Sequence, residues 1–496
     1  MCFSDEFRGH AKLEYPSLSR HNESSPKDYV VVINPRFENL SMHPAIDSSV
    51  LQTTRTQRSL RISGRRRAPC QSLARRLLTI SSRLCAILLA SWVIGQSVMA
   101  QVDVEEHDVI VFYGDSITQG GQYVDLVETW LLASRPEWKG RIYNRGISSE
   151  TLSGLTEADH KPPRPCALDR FTRDLPPLKP TIIVSCFGMN DGIYHPFDWN
   201  RFFAYRDGVL SMLDRSFGEA LAEDVIILTP PPFDPYQRKA SDLKATHFGY
   251  RFPYLNYDDT LGTYSQWLLT LSERDHVHVG DLHGSMNDWL ARRREEDVSF
   301  HLAPDAVHPN TTGHWLMAMT AAKMLSLQQP DVERVFVPGN SETIYRASTT
   351  ENVPWFIPDV DEKLLAWHRE EGHLPQPAWQ ADLSELDDEP DDRQIRLTAN
   401  NEEVWLGTLG QLRDGINLPS LEIPPLKARA EKLHQAVATR RKIEYQAWRR
   451  SFAPQKETPP KPEETPEAVA DQLSQLATII EVQRLPVIIN WVIELR

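Results

Sequence analysis

Four short segments of this 496-residue chain hold residues whose types suit acyl-transfer chemistry. The first is "VIVFYGDSITQGG", Val109 to Gly121, in which an apolar run ends in Gly-Asp-Ser. A serine hydroxyl is a weak nucleophile until a base removes its proton, so Ser116 needs a partner. The segment "APDAVHPNTTGH", Ala303 to His314, offers one. Asp305 and His308 stand three apart, and one turn can bring the carboxylate to the imidazole, fix its tautomer and stabilise the imidazolium. An attacked carbonyl also needs donors for its developing oxyanion. Gly146 in "YNRGISSET" offers a backbone N–H, and Asn190 in "FGMND" offers a neutral side-chain amide.

Each residue has a quieter explanation. Ser116 can cap a following helix, a frequent role for serine after a strand. Asn190 can be a turn residue and His308 a satisfied loop histidine. Asp115 and Asp191 flank the key positions and read as loop-tying structural groups. These explanations serve each residue singly and leave the coincidence of four unexplained. Other polar groups compete. His195 follows Asp191 by four, "DLHGS" (Asp281 to Ser285) gathers Asp, His and Ser, and His276 and His278 point to one face of a strand without an evident third metal ligand.

The elements that must position these residues are legible from Asp108 to about Leu327. Of the short β-branched runs "DVIVFYG", "RIYNRG", "TIIVSCFG", "DVIILTPPP" and "VHVGDL", several are apolar on consecutive residues, as strands buried on both faces require. Between them lie helical spacings at Tyr123–Ala133, Trp199–Phe217, Thr260–Arg274 and Asn310–Leu327. Alternating β and α implies a parallel sheet covered on both faces. In such sheets ligands bind beyond the carboxyl ends of the strands, where "GDS", "NRG" and "FGMND" all fall. No G-x-S-x-G elbow occurs, because Thr118 stands where its second glycine would be.

With these segments in hand the chain resembles the SGNH hydrolases, also called the GDSL family, over roughly Asp108–Leu327. The resemblance implies a flavodoxin-like three-layer α/β/α sandwich around a parallel sheet of about five strands. It implies Ser116 as nucleophile, His308 as base and Asp305 as its orienting acid. The oxyanion hole would be the N–H groups of Ser116 and Gly146 with the Asn190 amide, supported by Asp115, Gly188 and Asp191. No metal or organic cofactor is implied. Two departures stand out: Ile117 replaces the family's Leu, and Ala306 occupies the glycine place of D-G-x-H. If position 306 has positive φ, alanine costs about 1 kcal/mol there.

Charge is unevenly distributed. Residues 1–100 contain 14 basic and 7 acidic residues, leaving 40 and 61 for the rest of a chain whose net charge is -14. An acidic body argues against a nucleic-acid partner. Nine arginines from Arg55 to Arg83 precede "LCAILLASWVIG" and "QSVMAQ", the layout of a signal peptide cleaved after Ala100. "ARRLLTI" faintly resembles a twin-arginine signal, and an N-terminal membrane anchor is the alternative. Residues 1–100 are therefore expected to be a disordered basic leader and signal, 101–335 the hydrolase domain, and 336–496 a mostly helical or irregular extension. In that extension Leu426–Phe452 reads as a helix and Val469–Arg496 as another, broken near Pro486, on either side of a Pro/Glu linker, Ala453–Ala468.

The expected protein is a secreted or periplasmic esterase, without a stable membrane span after cleavage. Its substrate would be a small-molecule or polysaccharide ester, first an acetylated carbohydrate. A short-chain lipid esterase or lysophospholipase, or a non-catalytic binding module keeping the fold, are the alternatives. Trp130, Trp138, Trp199 and Trp315 are candidate sugar-stacking faces. Cys166 and Cys186 would survive cleavage, either paired or as free thiols.

Overall fold

A computed structural model describes residues 101–237, 247–328, 332, 334–371, 378–379, 381–417, 423–452 and 465–496. The expected leader and most of the Pro/Glu linker lie outside the described residues. The first sheet contains β1 (Val109–Gly114), β2 (Arg141–Gly146), β3 (Ile182–Cys186), β4 (Asp224–Leu228) and β5 (Val277–Gly280). All pairs are parallel, in the order β2-β1-β3-β4-β5. It is the α/β/α sandwich expected from the alternation. Along β1 the side chains alternate between two cores: Ile110 and Phe112 face one, Val111 and Tyr113 the other. Helices α2 (Gln122–Ser134), α5 (Leu282–Glu296) and α6 (Thr311–Met324) cover the first face, and α3 (Trp199–Gly218) and α4 (Tyr257–Leu269) the second. A five-residue helix, α1 (Ser116–Gly120), follows β1 directly.

Register fixes where the chemistry falls. Gly114, Gly146 and Cys186 are opposite one another at the ends of three adjacent strands. The segments that follow them emerge side by side at the carboxyl edge.

The region after Leu327 holds a second sheet as well as helices, the first of them α7 (Glu362–Glu370). Strands β6 (Val337–Pro338), β7 (Ile344–Glu351), β8 (Gln394–Ala399), β9 (Glu402–Thr408) and β10 (Val487–Leu495) form an antiparallel sheet in the order β9-β8-β10-β7-β6. The expected helix over Val469–Arg496 is real only as far as Arg484, as α9 (Pro466–Arg484). Beyond Pro486 the chain becomes β10. Ile489, Trp491, Ile493 and Leu495 alternate inward there onto a third core, a two-residue period that no helix can bury on one side.

The basic helix expected at Leu426–Phe452 is α8 (Pro424–Phe452). It lies on the sandwich, and its Leu433 and Val437 join the core beneath α2. Burial of two such side chains contributes on the order of 1.5–3 kcal/mol each. Polar anchors fix its rotation: Arg440 pairs with Glu128, Arg441 Nη2 lies 2.9 Å from Asp125 Oδ2, and Arg141 Nη2 lies 2.5 Å from Glu444 Oε1. Trp355 stacks on Trp130 with centroids 4.6 Å apart, a second seam between the extension and α2. All described residues fall in one compact unit.

Glu128 is only 3% exposed, and burial pushes its carboxyl up despite Arg440. Arg440→Met would strand that carboxyl, a loss on the order of 3–5 kcal/mol. Urea unfolding should show the loss, and adding Glu128→Gln should restore most of it.

Candidate active site

The nucleophile candidate sits where β1 turns into α1. Asp115, not Ser116, caps that helix: its Oδ1 accepts from Ile117 N at 2.9 Å. The capping role considered for serine is thus filled by its neighbour. Ser116 is left as the first residue of α1, with a first-turn N–H that has no helical acceptor.

The loop before α6 brings in the base. His308 Nε2 is 2.8 Å from Ser116 Oγ, across 192 positions of sequence. His308 Nδ1 is 2.7 Å from Asp305 Oδ2, while Asp305 Oδ1 accepts from the N–H groups of Val307 (3.0 Å) and His308 (2.7 Å). This tight turn requires Ala306 at φ 75°. Asp234 N donates to Ala306 O at 3.0 Å and holds the turn from the loop after β4. Burial works against the Asp305 charge, but the hydrogen bonds from His308 and Val307 outweigh it and hold the carboxyl well below its usual range. The bond to Asp305 in turn raises the His308 pKa above 6.5, against partial burial. Such a Ser–His–Asp relay can take a proton from the hydroxyl and return it to a leaving group.

Asn190, in the turn after β3, is 3% exposed. Its Oδ1 accepts from Arg164 Nη1 (2.9 Å) and Tyr194 OH (3.0 Å), so the amide orientation is fixed. Its Nδ2 donates to Glu150 O (3.1 Å) and to Asp115 Oδ2 (3.3 Å), beside Ser116, so the amide serves an oxyanion by releasing the longer bond to Asp115. Burial pushes Asp115 up to about 7, against the Ile117 N–H and the nearby His308. Asp191 Oδ1 accepts from Leu152 N (2.8 Å) and Ser153 N (2.7 Å) and ties the loop after β2 to the turn after β3. Gly188 has φ 131°, and a Cβ there would stand 2.9 Å from Pro230 Cγ, so glycine is needed to begin that turn.

Gly146 corrects the sequence expectation. Its N–H donates to Asn144 Oδ1 at 2.9 Å and is not free for an oxyanion. A Cβ at Gly146 would lie 2.3 Å from Gln119 N, so this glycine lets β2 pass against α1. The unclaimed donors lie further on. Ile147 N bonds Gly114 O, Ser148 N bonds Gln119 Oε1 and Thr151 N bonds Pro165 O. Among the described residues, no acceptor meets the N–H of Ser149 or Glu150. Ser149 has φ 66°, and the carbonyl of Glu150 is the one that Asn190 holds. The sequence signal was weak, a serine pair without a glycine.

The competing polar groups have other partners. His278 Nε2 is 2.9 Å and His276 Nδ1 3.4 Å from Asp224, and His283 Nε2 is 3.1 Å from Asp258. Asp281 caps α5, and the His195 ring packs against Phe248. Cys166 and Cys186 are free thiols. Trp130, Trp138 and Trp315 are buried, whereas Trp199 is 62% exposed. Among the described residues, no cluster of three His, Cys, Asp or Glu could hold a metal ion, and no helix is long and apolar enough to cross a membrane.

Residues 112–316 match the GDSL-like lipase/acylhydrolase family. That segment is a GDSL-like lipase/acylhydrolase domain. It is accordingly a hydrolase of ester bonds. No curated protein matches the sequence. Among solved structures, a gut microbial diltiazem-metabolizing enzyme is similar at 14% identity and TM-score 0.59, over 80% of this chain and 99% of the other. That likeness is one of fold. It covers more of the chain than the GDSL domain alone, so much of the C-terminal region shares it. An acetyl xylan esterase matches 43% of this chain and 98% of its own, at 18% identity and TM-score 0.33. A carbohydrate acetylesterase family member from Sinorhizobium meliloti matches 44% of this chain and 100% of its own, at 14% and 0.30.

Two outcomes follow for this GDSL domain. A base must be neutral to accept a proton, so kcat/KM should rise with pH through a midpoint above 6.5, set by the raised His308 pKa. A rate flat from about pH 5 to 8 would remove His308 from that role. Ala306→Gly relieves a positive φ worth about 1 kcal/mol. It also removes a fully buried methyl worth about 0.8 kcal/mol. Its unfolding midpoint in urea should therefore hardly move.

Proposed function

We propose that the chain is an exported serine esterase that removes short acyl groups, first of all acetyl, from carbohydrate. The observation that carries the mechanism is the continuous relay from Ser116 Oγ through His308 to Asp305, with bonds of 2.8 and 2.7 Å. His308 Nε2 takes the Ser116 proton as Oγ attacks the ester carbonyl. The oxyanion of the tetrahedral intermediate is held by Ser116 N–H, the Asn190 amide and the free N–H of Ser149. His308 then protonates the leaving alcohol, which departs and leaves an acyl-serine. Water, deprotonated by His308, attacks that ester, and the carboxylic acid leaves with the proton back on Ser116.

Export rests on the arginine-rich stretch, apolar run and small-residue site that end at Ala100. The carbohydrate reading rests on that export layout and on exposed aromatic faces. Trp199 and Phe203 are 62% and 41% exposed at the start of α3, which follows the Asn190 turn. Exposed rings of this kind suit the apolar faces of sugars. His308 and Asp305 are themselves about two-fifths exposed, consistent with an open site that admits a substituent on a larger molecule.

The test is acetate release from acetylated glycans compared with small acetyl esters and short-chain lipid esters. Release from glycans is the expected result; activity on lipid esters alone would overturn the carbohydrate assignment. Ser116→Ala should abolish turnover and fluorophosphonate labelling while the fold persists. Asn190→Ala should slow turnover about a hundredfold. A folded wild-type protein that takes no label would instead be a binding module.

A further inference from the structure

Arg164 is a buried charge beside the site, and the mechanism above gives it no part. Its side chain is 2% exposed and that of Glu157 is 1% exposed. The two form a fork, Nε to Oε2 at 2.5 Å and Nη2 to Oε1 at 2.6 Å. Glu157 Oε1 also accepts from Tyr250 N at 3.0 Å. Burying such a pair is costly, and apolar residues of similar size would hold a loop at least as well. The remaining nitrogen points to what the pair does. Nη1 donates to Asn190 Oδ1 at 2.9 Å and reaches Ser149 O at 3.3 Å. One guanidinium thus touches both the amide and the backbone stretch proposed as oxyanion donors.

We infer that Arg164 is a positioning residue for the oxyanion hole, acting through Asn190. The inference rests on the Asn190 assignment made above. With Arg164 and Tyr194 both donating to Oδ1, a flipped amide would place its NH2 against two donors. The flip is thereby forbidden, and the Nδ2 face stays toward Ser116. A cation on Oδ1 also draws electron density from the amide nitrogen and strengthens its N–H groups as donors. Glu157 holds the guanidinium plane, and Tyr250 holds Glu157. The hydroxyl of Tyr250 lies 3.4 Å from Asp305 Oδ2, so the same strap reaches the acid of the relay.

A double-mutant cycle separates this role from loop support. The readouts are turnover of 4-nitrophenyl acetate and the rate of Ser116 phosphonylation by a fluorophosphonate, which uses the same donors. Arg164→Lys keeps a positive charge beside Glu157 but cannot span three acceptors in the fork geometry. It should lower kcat about tenfold with KM nearly unchanged. In the Asn190→Ala background the same substitution should change either rate less than about twofold, because its target is gone. Equal losses in both backgrounds, or no loss in the first, would overturn the inference. If Arg164→Lys does not fold, Arg164→Gln with Glu157→Gln removes both charges together and enters the same cycle. If Asn190→Ala alone leaves both rates unchanged, the oxyanion reading has failed, and that result is distinct from a failed cycle.

Discussion

The hydrogen bond between Ser116 Oγ and His308 Nε2 joins residues 192 positions apart, and the sandwich makes it possible. Nothing local holds those two atoms at 2.8 Å. The serine is delivered by an interior strand of the parallel sheet, with β2 on one side and β3 on the other. The histidine is delivered by a loop pinned at Ala306 from the end of β4. Small errors in this convergence would be costly, because a proton moves efficiently only over hydrogen-bond distances. Hence the density of fixings: Asp115 on α1, Asp191 between two loops and Asp305 on two N–H groups of its own turn. Each is a carboxylate spent on backbone N–H groups.

Much of this was legible in the sequence, for a physical reason. Strands buried on both faces must be apolar throughout, and β1, β3, β4 and β5 show such runs; those of β1, β3 and β5 end in glycine-bearing turns. What escaped were roles set by close approach and not by residue type. Gly146 reads as an oxyanion donor on a motif basis, yet its missing side chain serves the passage of Gln119, and its N–H belongs to Asn144. Arg164 lies in "HKPPRPC", where nothing in the spacing ties it to Asn190. Helix α5 was hidden because "DLHGS" resembles a polar loop, although Leu282, Met286 and Leu290 recur every four residues. The break near Pro486 was legible, but the strand β10 beyond it was not, because its two-residue period spans only nine residues.

The C-terminal region changes how the hydrolase unit is drawn. Composition shifts sharply after about Pro338, and a family boundary falls at residue 316. The packing respects neither. Helix α8 covers α2, Trp355 covers Trp130, and Tyr445 OH donates to Gly146 O at 2.9 Å, at the base of the loop that carries Ser149. The acidic side chains of α2, Asp125 and Glu128, meet the basic stripe of α8, so charge and apolar fit agree on one docking pose.

The Tyr445 contact has a consequence for inheritance. A shuffling event that carried only the serine-to-histidine stretch into another gene would leave an indole, two buried acids and a strand end without their cover. The heritable cassette is thus longer than the motif-bearing part, and the two halves are bound to evolve in step at their shared seam.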